Sequence, residues 1–318
     1  MLNRSKLFLL TLTIISAILI VFSYKQLVDK KPEAVFVLRT LDNEYWEIIR
    51  AGIEQGCLDF GIDGKVMASR NGTSEEQIKI LDNVLEEHPD VLVVSPDISS
   101  DIIPKLEEFV RRNIPVLMID TDELTVKKTA YIGTNNLDLG RKAGALMASM
   151  LHPGDKVALI GRESPVEKER IKGAKASLEA AGINIAAESI KISINDKNQN
   201  QKVTKVMETI LQKHPDLKGI VTSTDYLAIP VIKDLQEQGL SIPVTGADGI
   251  SKMLELVEKG TITGTVAQNP YDMGYLSVQA ALKVTKGETI KRNIDSGVDI
   301  VTKDNAKEKL DFLKKVLK

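Results

Sequence analysis

The sequence predicts an α/β protein built from two doubly wound, Rossmann-like lobes with parallel sheets, joined by a hinge of three crossing segments. The chain has 318 residues, about twice the usual size of one domain. Short runs rich in Val and Ile alternate with longer segments of helical spacing from residue 33 onward, as in βαβ units. An internal repeat relates the first half of the chain to the second.

The predicted strands and helices follow this alternation along the chain. Apolar runs predict strands at residues 35–38, 65–69, 91–95, 116–120, 157–161, 220–223 and 243–248. Helical periodicity between them predicts helices at residues 45–60, 75–87, 102–112, 167–181, 202–213 and 228–238. Residues 303–318 carry Leu310, Leu313 and Leu317 on one face, which predicts a closing helix on the second lobe. Docking of a partner protein is the alternative role of that helix.

The repeat consists of four ordered pairs of similar segments. Gly52 and Gly173 each lie in a helix after a strand, and Gly61 and Gly182 end those helices at the same separation. His-Pro-Asp occurs at residues 88–90 and 214–216, and NIPVLMID at 113–120 resembles SIPVTGAD at 241–248. Four pairs in one order indicate a shared α/β half rather than chance.

The chain is expected to pass between the lobes at residues 129–136, 265–269 and 295–301. Each lobe then consists of separated stretches of chain. The prediction is a first lobe of residues 32–131 plus 269–296 and a second lobe of residues 132–268 plus 297–318. The carboxyl ends of the two sheets would face each other across one cleft.

Residues 1–31 predict a segment that targets a membrane. Residues 7–24 are apolar and uncharged and follow Arg4 and Lys6. This run is long for the core of a signal peptide and short for a spanning helix, so an uncleaved anchor and a removed signal peptide both remain open. The anchor is favoured, and a buried core helix is disfavoured because the run is apolar all round. In either main case the rest of the chain works outside the cytoplasm.

Composition and motifs exclude several classes of function. Lys plus Arg number 42 and Asp plus Glu 44, so the formal net charge of −2 gives no field that would recruit nucleic acid. The single cysteine, Cys57, rules out an internal disulfide and lies too far downstream to accept a lipid. Motifs for nucleotide, serine-hydrolase and zinc-protease chemistry are absent from the sequence. A glycosidase pair of acids is a weak alternative to a binding protein without metal or cofactor.

Polar and aromatic side chains follow the predicted strands, where a cleft would lie. Residues 39–46 place Tyr45 and Trp46 together after the first strand, and aromatic faces pack against the apolar faces of sugars. Asp120 and Asp248 occupy equivalent places in the two halves, and two carboxylates can accept the hydroxyl donors of a polyol. Arg162 or Arg170 is expected to reach the same cleft.

The ordered motifs resemble those of the type I periplasmic sugar-binding proteins, the family of the ribose-binding proteins. The resemblance covers residues 33–303 and rests on TLDNEYW at 40–46, NIPVLMID at 113–120, ERIKGA at 169–174, HPD at 214–216, GADGI at 246–250 and TVAQNP at 265–270. It implies a receptor of two lobes, without catalytic activity, that closes by a hinge around one monosaccharide.

The same resemblance implies the ligand-binding residues. Those that match the family pattern are Asn43, Tyr45, Trp46, Asp120, Arg170, Asp248 and Gln268. Positions that depart from the ribose-binding pattern are Arg39, Ser95, Thr121, Thr224 and Asn198 in the polar stretch 195–200. The family commonly has Arg where this chain has Thr121, and an aromatic residue of the second lobe where it has the polar stretch. These departures predict an aldose other than ribose bound in the usual way, for example a xylose-like pentose.

Two functions remain open from the sequence. The favoured one is a membrane-anchored receptor that signals lobe closure to a partner such as a sensor histidine kinase. The alternative is the substrate-binding component of an ABC-type sugar uptake transporter. A DNA-binding regulator is disfavoured because the membrane segment stands where its headpiece would be.

Overall fold

The computed structural model describes residues 15–16, 31–70, 72–97, 99–192 and 198–318. The predicted membrane segment, residues 1–31, therefore lies outside the described residues except at positions 15, 16 and 31. Within the described ranges, no helix has both the length and the apolar character that crossing a bilayer requires.

Strands and helices alternate along most of the chain. The strands are β1 Glu33–Leu38, β2 Asp63–Ala68, β3 Val91–Val94, β4 Val116–Ile119, β5 Ala130–Gly133, β6 Lys156–Arg162, β7 Asn184–Ile192, β8 Leu217–Thr222, β9 Val244–Thr245, β10 Ala247–Asp248, β11 Gly264–Gln268, β12 Asn293–Asp295 and β13 Val298–Thr302. The helices are α1 Glu44–Phe60, α2 Ser74–Glu87, α3 Ile103–Arg111, α4 Asn136–Ala148, α5 Pro165–Ala180, α6 Gln199–Lys213, α7 Asp225–Glu237, α8 Ser251–Glu258, α9 Pro270–Thr285 and α10 Lys303–Val316.

A parallel sheet of six strands in the order β12-β5-β4-β3-β1-β2 forms the centre of the first lobe. Alternate residues of β1 face opposite sides of this sheet. Val35 and Val37 pack in the cluster of Leu81 and Phe109 from α2 and α3. Phe36 and Leu38 pack in the cluster that holds α1 and α9. Burial on both faces explains why the strand reads as an unbroken apolar run.

The second lobe contains two smaller sheets. One is parallel, in the order β7-β6-β8-β9, and the other has the order β10-β11-β13 with β11 and β13 antiparallel. The predicted single strand at residues 243–248 is therefore wrong, because the chain changes sheet at Gly246. A Cβ at Gly246 would lie 2.4 Å from Asp225 Oδ1, so the backbone passes too close to that carboxylate for a side chain.

The predicted crossing segments are themselves strands. β5 and β11 lie in the first two, and β12 and β13 flank the turn in the third. β12 returns to the first sheet by pairing with β5, whereas β13 pairs with β11. Each lobe consists of its sheets and the helices packed on them. The residue boundaries of the lobes given above stay a prediction.

The helices differ from prediction mainly at their starts. α5 begins at Pro165 because Ser164 caps it by accepting the N–H of Glu167, and Pro suits the first turn.

Helices α4, α8 and α9 were absent from the predicted set, and α4 and α9 contain glycines that interrupt an apolar stripe. Leu317 follows the end of α10 and is exposed, so the predicted apolar face holds only for Leu310 and Leu313.

Two helix pairs, α1 with α9 and α5 with α4, pack at backbone distance. A Cβ at Gly52 would lie 2.0 Å from the carbonyl oxygen of Tyr271, and one at Gly274 would lie 2.2 Å from that of Ile49. In the second lobe, a Cβ at Gly173 would lie 2.2 Å from the carbonyl oxygen of Leu137. The repeat-related glycines Gly52 and Gly173 therefore perform the same packing role in both lobes.

Candidate ligand-binding cleft

A cavity of about 850 Å³ lies at the carboxyl ends of the strands, between the lobes. Most of the predicted site residues line it. From the first lobe these are Arg39, Asn43, Tyr45, Trp46, Asp120 and Thr121, and from the second lobe Arg170, Thr224, Asp248 and Gln268. The chain order of strand, polar turn and helix brings them together, because parallel strands all end at the same edge.

The aromatic wall of the first lobe begins at the start of α1. Tyr45 and Trp46 are mostly buried, and their rings meet edge to face with centroids 5.5 Å apart. The Tyr45 hydroxyl donates to Asp120 Oδ1 at 2.6 Å. Burial, followed by the negative charge of Asp120, raises the pKa of Tyr45 well above its usual value, so the phenol stays protonated as a donor.

Asp120 is held at the end of β4 in an uncommon backbone conformation. Its φ of 64° lies in the left-handed region, which Asp tolerates better than most residues. Thr121 Oγ1 donates to Asp120 Oδ2 at 2.9 Å, and the Tyr131 hydroxyl donates to the Asp120 carbonyl at 2.8 Å. Each carboxylate oxygen therefore has one protein donor and can accept a further hydrogen bond, and Asp120 lines the cavity.

Asp248 is the corresponding carboxylate of the second lobe. Its φ is also positive, at 136°. Asp248 Oδ1 accepts from Arg170 Nη1 at 3.0 Å and from Gln268 Nε2 at 2.8 Å. Burial raises the pKa of Asp248, while Arg170 and Gln268 oppose that rise. Both repeat-related Asp residues thus carry strained backbone at the cleft, as functional side chains often do.

Arg170 is held by groups from three parts of the second lobe. Its Nε donates to Asn136 Oδ1 at 2.8 Å, and its Nη1 donates to the Ser223 carbonyl at 3.0 Å. Arg162 also lines the cavity, but its Nε is paired with Glu167 Oε1 at 2.7 Å. Of the two arginines proposed from the sequence, Arg170 is the one in contact with the Asp248 carboxylate.

Two buried polar atoms of the cavity lining have neither a hydrogen-bond partner nor an ion-pair partner in the described part of the protein. They are Asn43 Oδ1 and Thr224 Oγ1, one from each lobe. A buried polar group without a partner costs about 1–3 kcal/mol. A ligand that offers hydroxyl donors and acceptors between these atoms would remove that cost.

Arg39 is fixed by residues that the sequence reasoning missed. Its Nη2 lies 3.3 Å from Asp97 Oδ1. Gln77 positions this acid, because its Oε1 accepts the Asp97 N–H and its Nε2 donates to the Ser95 carbonyl, each at 2.8 Å. Ser95 itself is fully buried and is not among the residues that line the cavity. Its ligand contact stays a prediction from the sequence; in the structure its carbonyl accepts the Gln77 amide that positions Asp97.

Asn198, predicted from the sequence to bind the ligand, lies beside a residue that lines the cavity. Asn198 is exposed at the start of α6 and does not line the cavity, whereas Gln199 does. Tyr226 lines the cavity from the second lobe and supplies the aromatic side chain that the polar stretch 195–200 lacks. Its position just after β8 is the signal that could have identified it.

Asp225 lies directly behind the cleft and supports it. Asp225 Oδ2 accepts the backbone N–H groups of Gly249 at 2.6 Å and Ile250 at 3.1 Å. Burial, followed by the charge of Asp248, raises the pKa of Asp225 well above its usual value. These bonds fix the turn that carries Asp248.

Replacing Asp225 by alanine is expected to lower the free energy of unfolding by about 3 kcal/mol, because two buried amides lose their carboxyl acceptor. Urea unfolding of the variant measures the change. Glu237→Ala is the control, since Glu237 lies at the other end of the same helix and makes only an exposed pair with Lys233. Equal losses in the two variants would contradict the supporting role of Asp225.

Two lobes with one cleft, lined by an aromatic wall and a carboxylate from each side, define a binding protein that encloses a small polar ligand. A family model described as "Periplasmic binding protein domain" matches residues 34–289. The chain belongs to the periplasmic binding protein family, as the sequence motifs indicated. Proteins of this family bind substrates and work outside the cytoplasm, which confirms the prediction of an extracytoplasmic binding protein rather than an enzyme.

Curated relatives and solved structures agree with this assignment. The ribose import binding protein RbsB of Bacillus subtilis is 27% identical over 268 residues, which cover 83% of this chain and 85% of the relative. The D-ribose/D-allose-binding protein of Pseudomonas aeruginosa is 25% identical over 313 residues, 93% and 96% of the two chains. GanP, a glucose-galactose binding protein from Geobacillus stearothermophilus, superposes with a TM-score of 0.77 at 25% identity, covering 87% of this chain and 99% of GanP. The predicted fold class is thereby confirmed.

Proposed function

We propose that the chain is the monosaccharide-binding component of an ABC-type sugar uptake transporter. The observation that carries the proposal is the placement of Asp120 and Asp248, one from each lobe, on a single cavity beside Tyr45 and Trp46. Carboxylates accept hydroxyl hydrogens from a sugar, and aromatic rings pack against its apolar face. Closing the lobes brings both carboxylates to the same ligand.

The ligand class is a neutral aldose. The relatives described above are named for ribose, allose, glucose and galactose. In this chain Thr121 follows Asp120 and gives it a hydroxyl donor in place of a cation, and Arg39 enters the cavity beside Asp97. These differences from the ribose-binding pattern favour an aldose other than ribose, and a pentose resembling xylose stays within the proposal.

The membrane-anchored sensor with a histidine kinase partner has less support than the transporter component. It depends on the apolar run at residues 7–24, most of which lies outside the described residues. None of the relatives described above is named for signalling, whereas RbsB is named for ribose import. Deleting the gene should abolish uptake of the labelled sugar by the cell, and the intact gene should restore it. This experiment tests the transporter proposal.

Calorimetric titration of the full-length protein against ribose, xylose, arabinose, allose, glucose and galactose is expected to give one tight 1:1 ligand. Asp120→Asn should weaken that ligand by about tenfold to a hundredfold, because hydrogen bonds to the charged carboxylate contribute about 1.5–3 kcal/mol. Asp82→Asn is the control, since Asp82 is an exposed acid of the first lobe paired with Lys105. Full affinity in Asp120→Asn would contradict this site.

A further inference from the structure

The Glu44 side chain bridges the mouth of the cleft from the first lobe to the second. Glu44 is the first residue of α1, directly after the turn that carries Arg39 and Asn43. Its Oε1 accepts the backbone N–H of Ser251, the first residue of α8, at 2.7 Å. The two residues are 207 positions apart and belong to opposite lobes.

The start of α8 depends on carboxylates for its backbone hydrogen bonds. Its N-cap residue, Ile250, provides no side-chain acceptor. The N–H groups of Gly249 and Ile250 go to Asp225 of the same lobe, and the next N–H, that of Ser251, goes to Glu44 of the other lobe. The first amides of a helix have no partner within it, and a negative charge near that end is favourable.

A second contact lies beside this one. The Tyr226 side chain of the second lobe lies beside the backbone of Tyr45, the residue after Glu44. Both contacts join α1 to the second lobe at the rim of the cavity. Separation of the lobes would expose both to water, so each is a property of the closed cleft.

We propose that Glu44 is a positioning residue that holds the cleft closed over its ligand by accepting the Ser251 N–H across the lobes. The inference rests on the proposed function, because it concerns the closure that traps the sugar. Glu44 does not line the cavity, so it acts through closure rather than by touching the sugar. A group that binds only the closed form shifts the population toward that form and slows release of the ligand.

The effect of Glu44 is expected mainly in the rate of dissociation. The open form that captures the sugar lacks the bond, so the association rate should stay within about twofold of wild type. Loss of a charge-assisted hydrogen bond in Glu44→Ala should raise the dissociation rate about tenfold. Glu44→Gln keeps an acceptor oxygen and loses the charge, so about threefold is expected.

Stopped-flow fluorescence of the full-length protein measures both rates with the sugar found by titration. The chain has one tryptophan, Trp46, and it lines the cavity, so its emission reports the ligand and closure. Glu47→Gln is the matched control: it removes the other acid of the first turn of α1, which pairs with Arg50 in its own helix. We call the contact between Glu44 and the Ser251 N–H the latch. Dissociation of the sugar from Glu44→Ala at the wild-type rate, or an equal change in Glu47→Gln, overturns it.

Failure of the proposed function is distinguishable from failure of the latch. If no sugar of the panel binds, the proposed function is wrong, and the role of Glu44, which rests on it, is wrong as well. If a sugar binds, hydrogen exchange of the Ser251 amide in the sugar-bound protein tests the role of Glu44 alone. Faster exchange of this amide in Glu44→Ala than in wild type supports the bond. Equal exchange in the two proteins overturns it.

Discussion

Replacing Asp248 by alanine is expected to raise the Kd for the bound sugar about a hundredfold. The carboxylate is buried and accepts from both Arg170 and Gln268. Its removal takes away the acceptor of the sugar hydroxyls, and a hydrogen bond to a charged group contributes about 1.5–3 kcal/mol. It also leaves the Arg170 guanidinium buried without its counter-charge, which lowers the stability of the fold by about 3–5 kcal/mol. Calorimetric titration gives the Kd, and thermal unfolding shows the accompanying loss of stability.

A double variant separates binding from stability at this position. Asp248→Ala with Arg170→Met removes both charges of the pair, and an apolar replacement of a buried pair is often neutral. We expect the double variant to recover most of the melting temperature and none of the sugar affinity. Sugar binding by Asp248→Ala at wild-type affinity would sink the assignment of this carboxylate as a ligand-binding group.

Replacing Gly173 by alanine is expected to lower the free energy of unfolding by about 3 kcal/mol, near the upper end for overpacking. The added methyl group would lie 2.2 Å from the Leu137 carbonyl oxygen and 2.8 Å from the Arg141 backbone nitrogen. Neither atom belongs to a flexible side chain, so α4 and α5 must move apart. Arg170 lies one turn earlier on α5, and sugar affinity should fall as well.

Urea unfolding measures this loss, and Ala176→Ser is its control. That substitution also adds one heavy atom to α5, but at an exposed position. The control should unfold within about 0.5 kcal/mol of wild type. If Gly173→Ala were as stable as the control, the close packing of the two helices would not be a requirement of the fold.

The rule that cleft residues follow parallel strands accounts for most of the site. It identified Asp120, Asp248 and the Tyr45-Trp46 pair, because each stands at a strand end that the apolar runs reveal. The same rule applied to β8 points to Tyr226. The resemblance to the family pointed instead to residues 195–200 as the place of an aromatic residue in the second lobe. For the residues that line the cavity, position directly after a strand indicates Tyr226, whereas the residue type expected from the family does not.

Partnerships between distant side chains were beyond sequence reasoning. The link from Gln77 through Asp97 to Arg39 joins α2 to two strand ends, and only the sheet order brings them together. The change of sheet at Gly246 is equally hidden, since its cause is the buried Asp225 carboxylate on another element. The repeat revealed paired glycines, but their purpose became clear only from the helices that face them.

The pairing of β12 with β5 in the first sheet limits how early the first lobe can finish folding during synthesis. Residues 293–295 complete that sheet, and α9 covers the face that α1 alone leaves open. The ribosome must therefore have synthesised the chain through residue 295 before the first lobe can finish folding. We expect the first lobe to stay incompletely folded during most of its synthesis.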